Sequence, residues 1–398
     1  LIQSPEVVAA GRVNPEGSWF SMAAVVSVVF TSPESVLDDY RRVMELASWK
    51  DHLRADRELL LKLNLSWTKY FPACSSQPWQ VDGVVRTLLA GGYPPERILP
   101  VENKTVVTDP MKGARNNCWL PVLEKHRCRF QPLTEVDWTV YRFKSKLLKL
   151  NDIFPEGIEI PAIYPGKDIL HLPTVKTHGH SITTGAIKNA FGGLLKEVRH
   201  YAHKHIHEVL VDLLLMQKEL HPNVFAVMDG TVAGDGAGPR TMVPSVRNVL
   251  LAGADSVAID AVAAKLMGFE PMEIPYLRMA TEMGLGEARI ERVALAGDDV
   301  SKTNFHFRTK RSFVIWGDQM LRIGPLRFLE RALLHSPLVV WAPFASNVYH
   351  DWLWYPTVGK RRIREFSGTP WGRLFESYAG GSRPPAAAIQ GMADVRRG

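Results

Sequence analysis

Two lysines, two histidines and four hydroxyl residues fall from Lys176 to Lys188, inside the segment Asp168–Gly193 (DILHLPTVKTHGHSITTGAIKNAFGG). Lys176 and Lys188 have the charge to neutralise a carboxylate or phosphate. His178, with His180 beside it, has the chemistry of a general acid/base or of a metal ligand. The segment opens as an apolar run (Ile169, Leu170, Leu172) of strand length and passes into a loop holding Lys176, His178 and His180. A helix then opens on Ser181, Thr183 and Thr184, carries Lys188 and Asn189, and stops at Gly192 and Gly193. Open α/β sheets bind ligands beyond the carboxyl ends of their strands. The free N–H groups at a helix start favour an anion there.

Other positions share this chemistry. In ELLLKLNLSW the strand period puts Lys62, Asn64 and Ser66 on one side, either a second wall of the site or an edge facing water. The short apolar strand NVFAVM delivers Asp229, a metal ligand or base, and TVAGDGAGPR follows with Gly234, Gly236 and Gly238. Glycines at this density let backbone approach a ligand, and would form a loop closing over substrate; a plain hairpin also explains them. Asp260 lies on an otherwise apolar helix, where a buried acid needs a partner or ligand. His200, His203 and His207 share one helical face, which could hold a divalent metal, His203 and His207 adding to His178, His180 and Asp229. Lys196, Arg199 and Lys204 nearby oppose a cation, and a solvated helix is the simpler account.

The elements that must position these groups alternate along the chain. Strands are expected at Ala23–Phe30, Glu58–Leu63, Ile98–Val101, Asn223–Met228, Asn248–Ala252 and Arg292–Leu295, with a weaker one in Val140–Lys149. Helices are expected from Pro33, with Ser32 as N-cap, over Gln80–Ala90 to the Gly91-Gly92 stop, over Leu120–His126, over Leu194–Gln217, over Ser256–Met267 between Asp255 and Gly268, and over Tyr276–Met283. This alternation predicts an α/β fold, an open, mostly parallel, doubly wound sheet with helices on both faces. Four strand ends, at Asn64, Lys176, Asp229 and Asp255, would then meet along one edge. The domain reading is an N-terminal arm (1–22), the α/β domain (23–300), a Trp- and Arg-rich extension (301–378) and a disordered tail (379–398).

Composition narrows the classes. The chain has 398 residues and a net charge of +7. From Ser301 onward, 3 Lys and 12 Arg face 6 acidic residues, so the basic character belongs to the C-terminal quarter. No nucleic-acid-binding motif accompanies it, which argues against a nucleic-acid partner. The first strand is followed by no G-x-G-x-x-G, which argues against a dinucleotide site. Cys74, Cys118 and Cys128 form no C-x-x-C pair. They read as buried thiols, with an iron–sulfur cluster on the three as the sharper and less supported alternative. No apolar run reaches the ~20 residues of a membrane span, and the default expectation is a cytoplasmic protein.

Taken in order, KLNLSW, LPTVKTHGHSITTGAIKNAFGG, VMDG, GDGAGP and ADSVAIDAVAAKLMG resemble the domain of unknown function 362 family, over about Ala23 to Gly297. The resemblance places that family's recurrent polar positions on Lys62, Asn64, Lys176, His178, Thr184, Lys188, Asn189, Asp229 and Asp260. Many members carry an eight-cysteine ferredoxin-like module, which implies redox or iron–sulfur company and a redox protein partner. This chain lacks those cysteines. Three functions follow as expectations: an enzyme on an anionic small molecule, metal-dependent or redox-linked; a redox accessory or cofactor-binding protein without turnover; and a membrane-surface protein acting through the extension. The extension's aromatics would also suit a lid or a homodimer interface.

Overall fold

The computed structural model describes residues 24–380, apart from 106–107, 197–201, 311–312, 323, 326 and 330–340. The expected N-terminal arm, His200 and all but two residues of the expected tail lie outside the described residues, as does most of the apolar run before Trp341.

Among the described residues the strands are β1 (Ala24–Phe30), β2 (Leu59–Lys62), β3 (Ile98–Glu102), β4 (Gln131–Pro132), β5 (Trp138–Tyr141), β6 (Ile158–Pro161), β7 (Asp168–His171), β8 (Thr174–His178), β9 (Ile182–Thr183), β10 (Val224–Ala237), β11 (Thr241–Gly253) and β12 (Val293–Gly297). The main sheet runs β12-β1-β11-β10-β7-β2-β3-β4. It is parallel except around β11, which lies antiparallel between β1 and β10. This is the expected mostly parallel α/β sheet, with one hairpin let into it.

Alternation along the strands sorts side chains to two layers. Leu59, Leu61, Leu170, Phe225 and Val227 pack with the helices Val36–Leu46, Pro78–Ala90 and Trp119–Lys125. Leu60, Ile169, Ala226 and Met228 face the helices Gly185–Leu194, Ile206–Leu220, Ser256–Met267 and Pro275–Glu282. Phe366, Trp371 and Phe375 of the C-terminal extension join the first layer. Packing against the body is therefore its main structural role.

Several local expectations are corrected. Val140–Lys149 holds only the end of β5, which pairs with β6 in a separate ribbon. Leu194–Gln217 is not one helix; the regular helix is Ile206–Leu220. The stretch from Lys176 to His178 is not loop but β8, which continues the line of β7 after Leu172-Pro173 and pairs with β10. The stretch with Gly234, Gly236 and Gly238 is not a closing loop either. β10 runs through it to Ala237 and is paired with β11. Its glycines serve close packing instead. A Cβ on Gly238 would overlap the Thr177 carbonyl, and one on Gly234 would press on Met242 and on Lys176 Cβ. Pairing with neighbours on both sides has overridden the low strand propensity of glycine.

Candidate functional site

Lys176 is buried at the centre of the first-layer side of β8. Its Nζ donates to Asn64 Oδ1 (2.9 Å), Ser66 Oγ (3.0 Å) and the Cys74 carbonyl (2.5 Å). Two of the residues expected on a wall after β2 thus converge on it. Burial pulls this ammonium down to about 8, with the positive charge of Lys62 adding to the effect and Cys74 and Glu102 opposing it. Lys62 itself turns to Glu102, at the end of the adjacent β3. Its Nζ lies 2.8 and 2.9 Å from the two carboxylate oxygens and 2.6 Å from the Leu63 carbonyl. Sequence reasoning missed Glu102.

His178 follows on the same strand and is also buried. The tight β8–β9 hairpin bends the backbone back, so the N–H groups of His180 (3.2 Å) and Ser181 (3.3 Å) both donate to His178 Nδ1. That leaves the neutral ring with its proton on Nε2, as a donor. Burial holds the ring well below the usual histidine range, and the charges of Lys188, His180, His203 and Lys176 push the same way. His180 lies between its neighbours, its ring 5.9 Å from that of His178 and 5.3 Å from that of His203. Phe191 stands 5.6 Å from His203 and under Lys188 Nζ at 5.3 Å. The structure thus brings together His178, His180, His203 and Lys188. Gln319, from the C-terminal helix Phe313–Arg322, reaches this group too and donates to the Gly179 carbonyl (3.3 Å).

The helix Gly185–Leu194 delivers Lys188, and four contacts fix its place. Asp260 accepts from the N–H groups of Ala186 (2.5 Å) and Ile187 (3.2 Å), so the partner expected for this acid is a helix start, not a cofactor. Gly185 has φ +86°, and a Cβ there would collide with the Asp260 carboxyl. Thr184 Oγ1 donates to the Lys176 carbonyl at 3.1 Å. Asn189 Nδ2 donates to the Lys62 carbonyl (3.0 Å) and meets His171 Nδ1 (3.3 Å), and His171 Nε2 meets Gln217 Oε1 (2.5 Å). The helix does not stop at the glycine pair. Gly192 and Gly193 lie inside it, and at Gly193 Tyr164 and Lys62 leave no room for a Cβ.

Burial pushes the Asp260 carboxyl up to about 8, against the two N–H donors. A folded-state value above the unfolded one means that the folded protein holds the proton through the window from about 4 to about 8. This acid's contribution to stability is therefore full at low pH and is lost as pH rises through about 8. Denaturation midpoints measured across that window should fall with pH, and Asp260→Asn should flatten the fall.

Asp229 is not at the end of its strand and is not with the histidines. It lies within β10 and accepts from Tyr40 (2.5 Å), from Trp79 Nε1 (3.1 Å) and from the Thr231 N–H (2.9 Å) and hydroxyl (2.7 Å). Asp255 caps the Ser256–Met267 helix through Val257 and Ala258, so the expected meeting of four strand ends reduces to Asn64 with Lys176. His207 stacks on Tyr276 at 6.1 Å, and Tyr276 in turn bonds Thr183 at 2.9 Å. Among the described residues no group of three or more His, Cys, Asp or Glu is arranged to hold a metal ion. At His178 the two N–H groups on Nδ1 oppose the tautomer that a metal on Nε2 would need. Cys74, Cys118 and Cys128 are buried thiols that form no disulfide with one another.

The C-terminal extension lies over the Lys176 side. Trp67, just beyond Ser66, donates to Asp351 Oδ1 (2.7 Å) and packs against Trp354 and Tyr355, whose rings lie 6.0 and 5.0 Å away. Tyr355 donates to the Tyr70 carbonyl (3.0 Å).

Comparison with known proteins points to a family. The family described as domain of unknown function (DUF362) matches residues 59–265, which hold β2, β7 to β10 and the whole Lys176–Asn189 segment. A "thylakoid-associated protein" of Synechocystis sp. is 24% identical over 268 residues, 65% of this chain and 78% of that protein. No solved structure matches.

Proposed function

The chain belongs to the domain of unknown function 362 family, and from that premise we propose an enzyme that acts on a small anionic molecule held by His178, His180, His203 and Lys188. One observation carries this reading: Lys188 and Lys176, with His180 and His203, surround the buried His178 and push its ring toward the neutral form. A carboxylate or phosphate entering there would meet a neutral Nε2–H donor and the Lys188 charge in a partly dry setting, where both act strongly. In a proton transfer next to a carbonyl, His178 would donate to the developing oxyanion and His180, ringed by His178 and His203, would take the proton. Lys176 changes charge near pH 8 and so sets the field on His178.

Calorimetric titration of the protein with inorganic phosphate tests this. Lys188→Met should weaken phosphate binding at the histidine group by tenfold or more, about 1.4 kcal/mol. Wild-type affinity there should fall as pH rises past about 8, since Lys176 loses its proton. Unchanged binding by Lys188→Met would sink the proposal.

A second reading rests on the surface of the extension. Phe344, Trp352 and Leu353 are 61%, 66% and 59% exposed, with Lys360, Arg361 and Arg364 exposed further along the same helical stretch. Aromatic tips beside basic groups suit an anionic lipid surface. The relative from Synechocystis is described as thylakoid-associated. Among the described residues no helix is long and apolar enough to cross a membrane. Co-sedimentation with phosphatidylglycerol vesicles, and not with phosphatidylcholine vesicles, is expected and should drop severalfold in Phe344→Ser/Trp352→Ser. Equal recovery of the variant and wild type would remove this reading.

A further inference from the structure

Arg240 sits between β10 and β11, directly after Pro239, under the C-terminal extension. Its Nη2 donates to Ser346 Oγ at 2.8 Å. Its Nη1 is buried and has no hydrogen-bond partner. Among the described residues no carboxylate pairs with this guanidinium. Asp351 approaches it only as a distant charge and already accepts from Trp67 at 2.7 Å, with Lys69 at 3.7 Å. Its other neighbours bring no negative charge. Cys74 Sγ points to the Pro239 carbonyl (3.2 Å), and the Cys74 carbonyl is held by Lys176. His350 shares Ser346 with Arg240, its Nδ1 2.8 Å from the Ser346 carbonyl, and burial followed by the Arg240 charge pushes its ring down to about 3. A buried cationic donor without an acceptor is costly.

We infer that Arg240 is the anchor of a second anion site, separate from the histidine group, that takes one phosphate or carboxylate group on Nη1. Cys74 lies against the β10–β11 turn on one side, through the Pro239 carbonyl, and Ser346 with His350 comes from the extension on the other. The extension is fastened there by Trp354 and Tyr355 on Trp67 and by Arg362, which donates to the Met242 carbonyl at 2.5 Å. The extension therefore completes a binding site as well as packing the core. An arginine suits this place because its fork can bond Ser346 and an oxyanion at once.

Titration of the full chain with inorganic phosphate and, in parallel, with acetate tests the inference. Wild type should bind phosphate at two sites. Arg240→Met should lose one, with affinity there down tenfold or more, and keep the one that depends on Lys188. Arg240→Lys, which keeps the charge without the fork, should fall between. Lys188→Met should retain the Arg240 site; if it binds neither anion, the inference is overturned even without the Arg240 variants. Wild-type stoichiometry and affinity for both anions in Arg240→Met would overturn it as well. Wild-type binding at the Arg240-dependent site alone, with no site that depends on Lys188, would instead count against the histidine group. Tighter phosphate than acetate binding at Arg240 assigns a phosphoryl ligand, and the reverse assigns a carboxylate.

Discussion

Replacing Lys62 by Met is expected to destabilise the protein by about 3–5 kcal/mol, the usual cost of breaking a buried ion pair from one side. The side chains of Lys62 and Glu102 are only 2% and 3% exposed. Met fills the space of the lysine stem, but the Glu102 carboxylate is left with Asn103 N–H (2.8 Å) and no cation against it. Lys62→Met/Glu102→Gln should recover much of the loss, because the stranded charge is then gone. Urea midpoints at constant slope would measure both. A loss below about 1 kcal/mol in the single variant would mean that water reaches Glu102 and that the pair is not buried in solution. The result bears on the site, since Lys62 and Glu102 both act on Lys176 and Lys62 also confines Gly193.

Trp371→Ala should cost a similar amount, about 3–5 kcal/mol, as a large aromatic removed from a packed interior. Trp371 is 1% exposed, stacks on Trp79 at 5.1 Å and donates to Asn248 Oδ1 at 2.8 Å. Tyr70 and Phe375 stack beside it at 3.7 Å. Trp371→Phe keeps most of the contact and should cost less. Limited proteolysis should cut the extension of Trp371→Ala faster than that of wild type. If the extension stays protected, it is held by Trp354 and Tyr355 on Trp67 instead.

Much of the frame was legible because its signals are local. Asp255 before an apolar helix and Gly268 after it announced both ends of Ser256–Met267, and the structure shows the cap bonds and φ +98° at Gly268. The Lys176–Asn189 segment announced itself by residue type, and the structure adds a division of labour within it. Lys176, Thr184 and Asn189 hold backbone and neighbours in place, whereas His178, His180 and Lys188 gather with His203. Long-range partners were not legible. Glu102 ends an ordinary apolar strand, and only the β2–β3 register, Lys62 beside Val101, reveals its role. Asp229 looked like a strand-end ligand because its partners Tyr40 and Trp79 lie 189 and 150 residues away. Arg240 was hidden in a glycine-rich turn, since Ser346 reaches it from the far end of the chain. The glycines of β10 imitated a loop because propensity is local and sheet pairing is not.

The central claim is that the group of His178, His180, His203 and Lys188 binds an anion. The most direct measurement is an anomalous difference map from crystals soaked in molybdate, an oxyanion that scatters strongly. The account predicts a peak about 3 Å from His178 Nε2 and within reach of Lys188 Nζ, lost in crystals of Lys188→Met. An ordered site with no peak there, or a peak that persists in Lys188→Met, would contradict it.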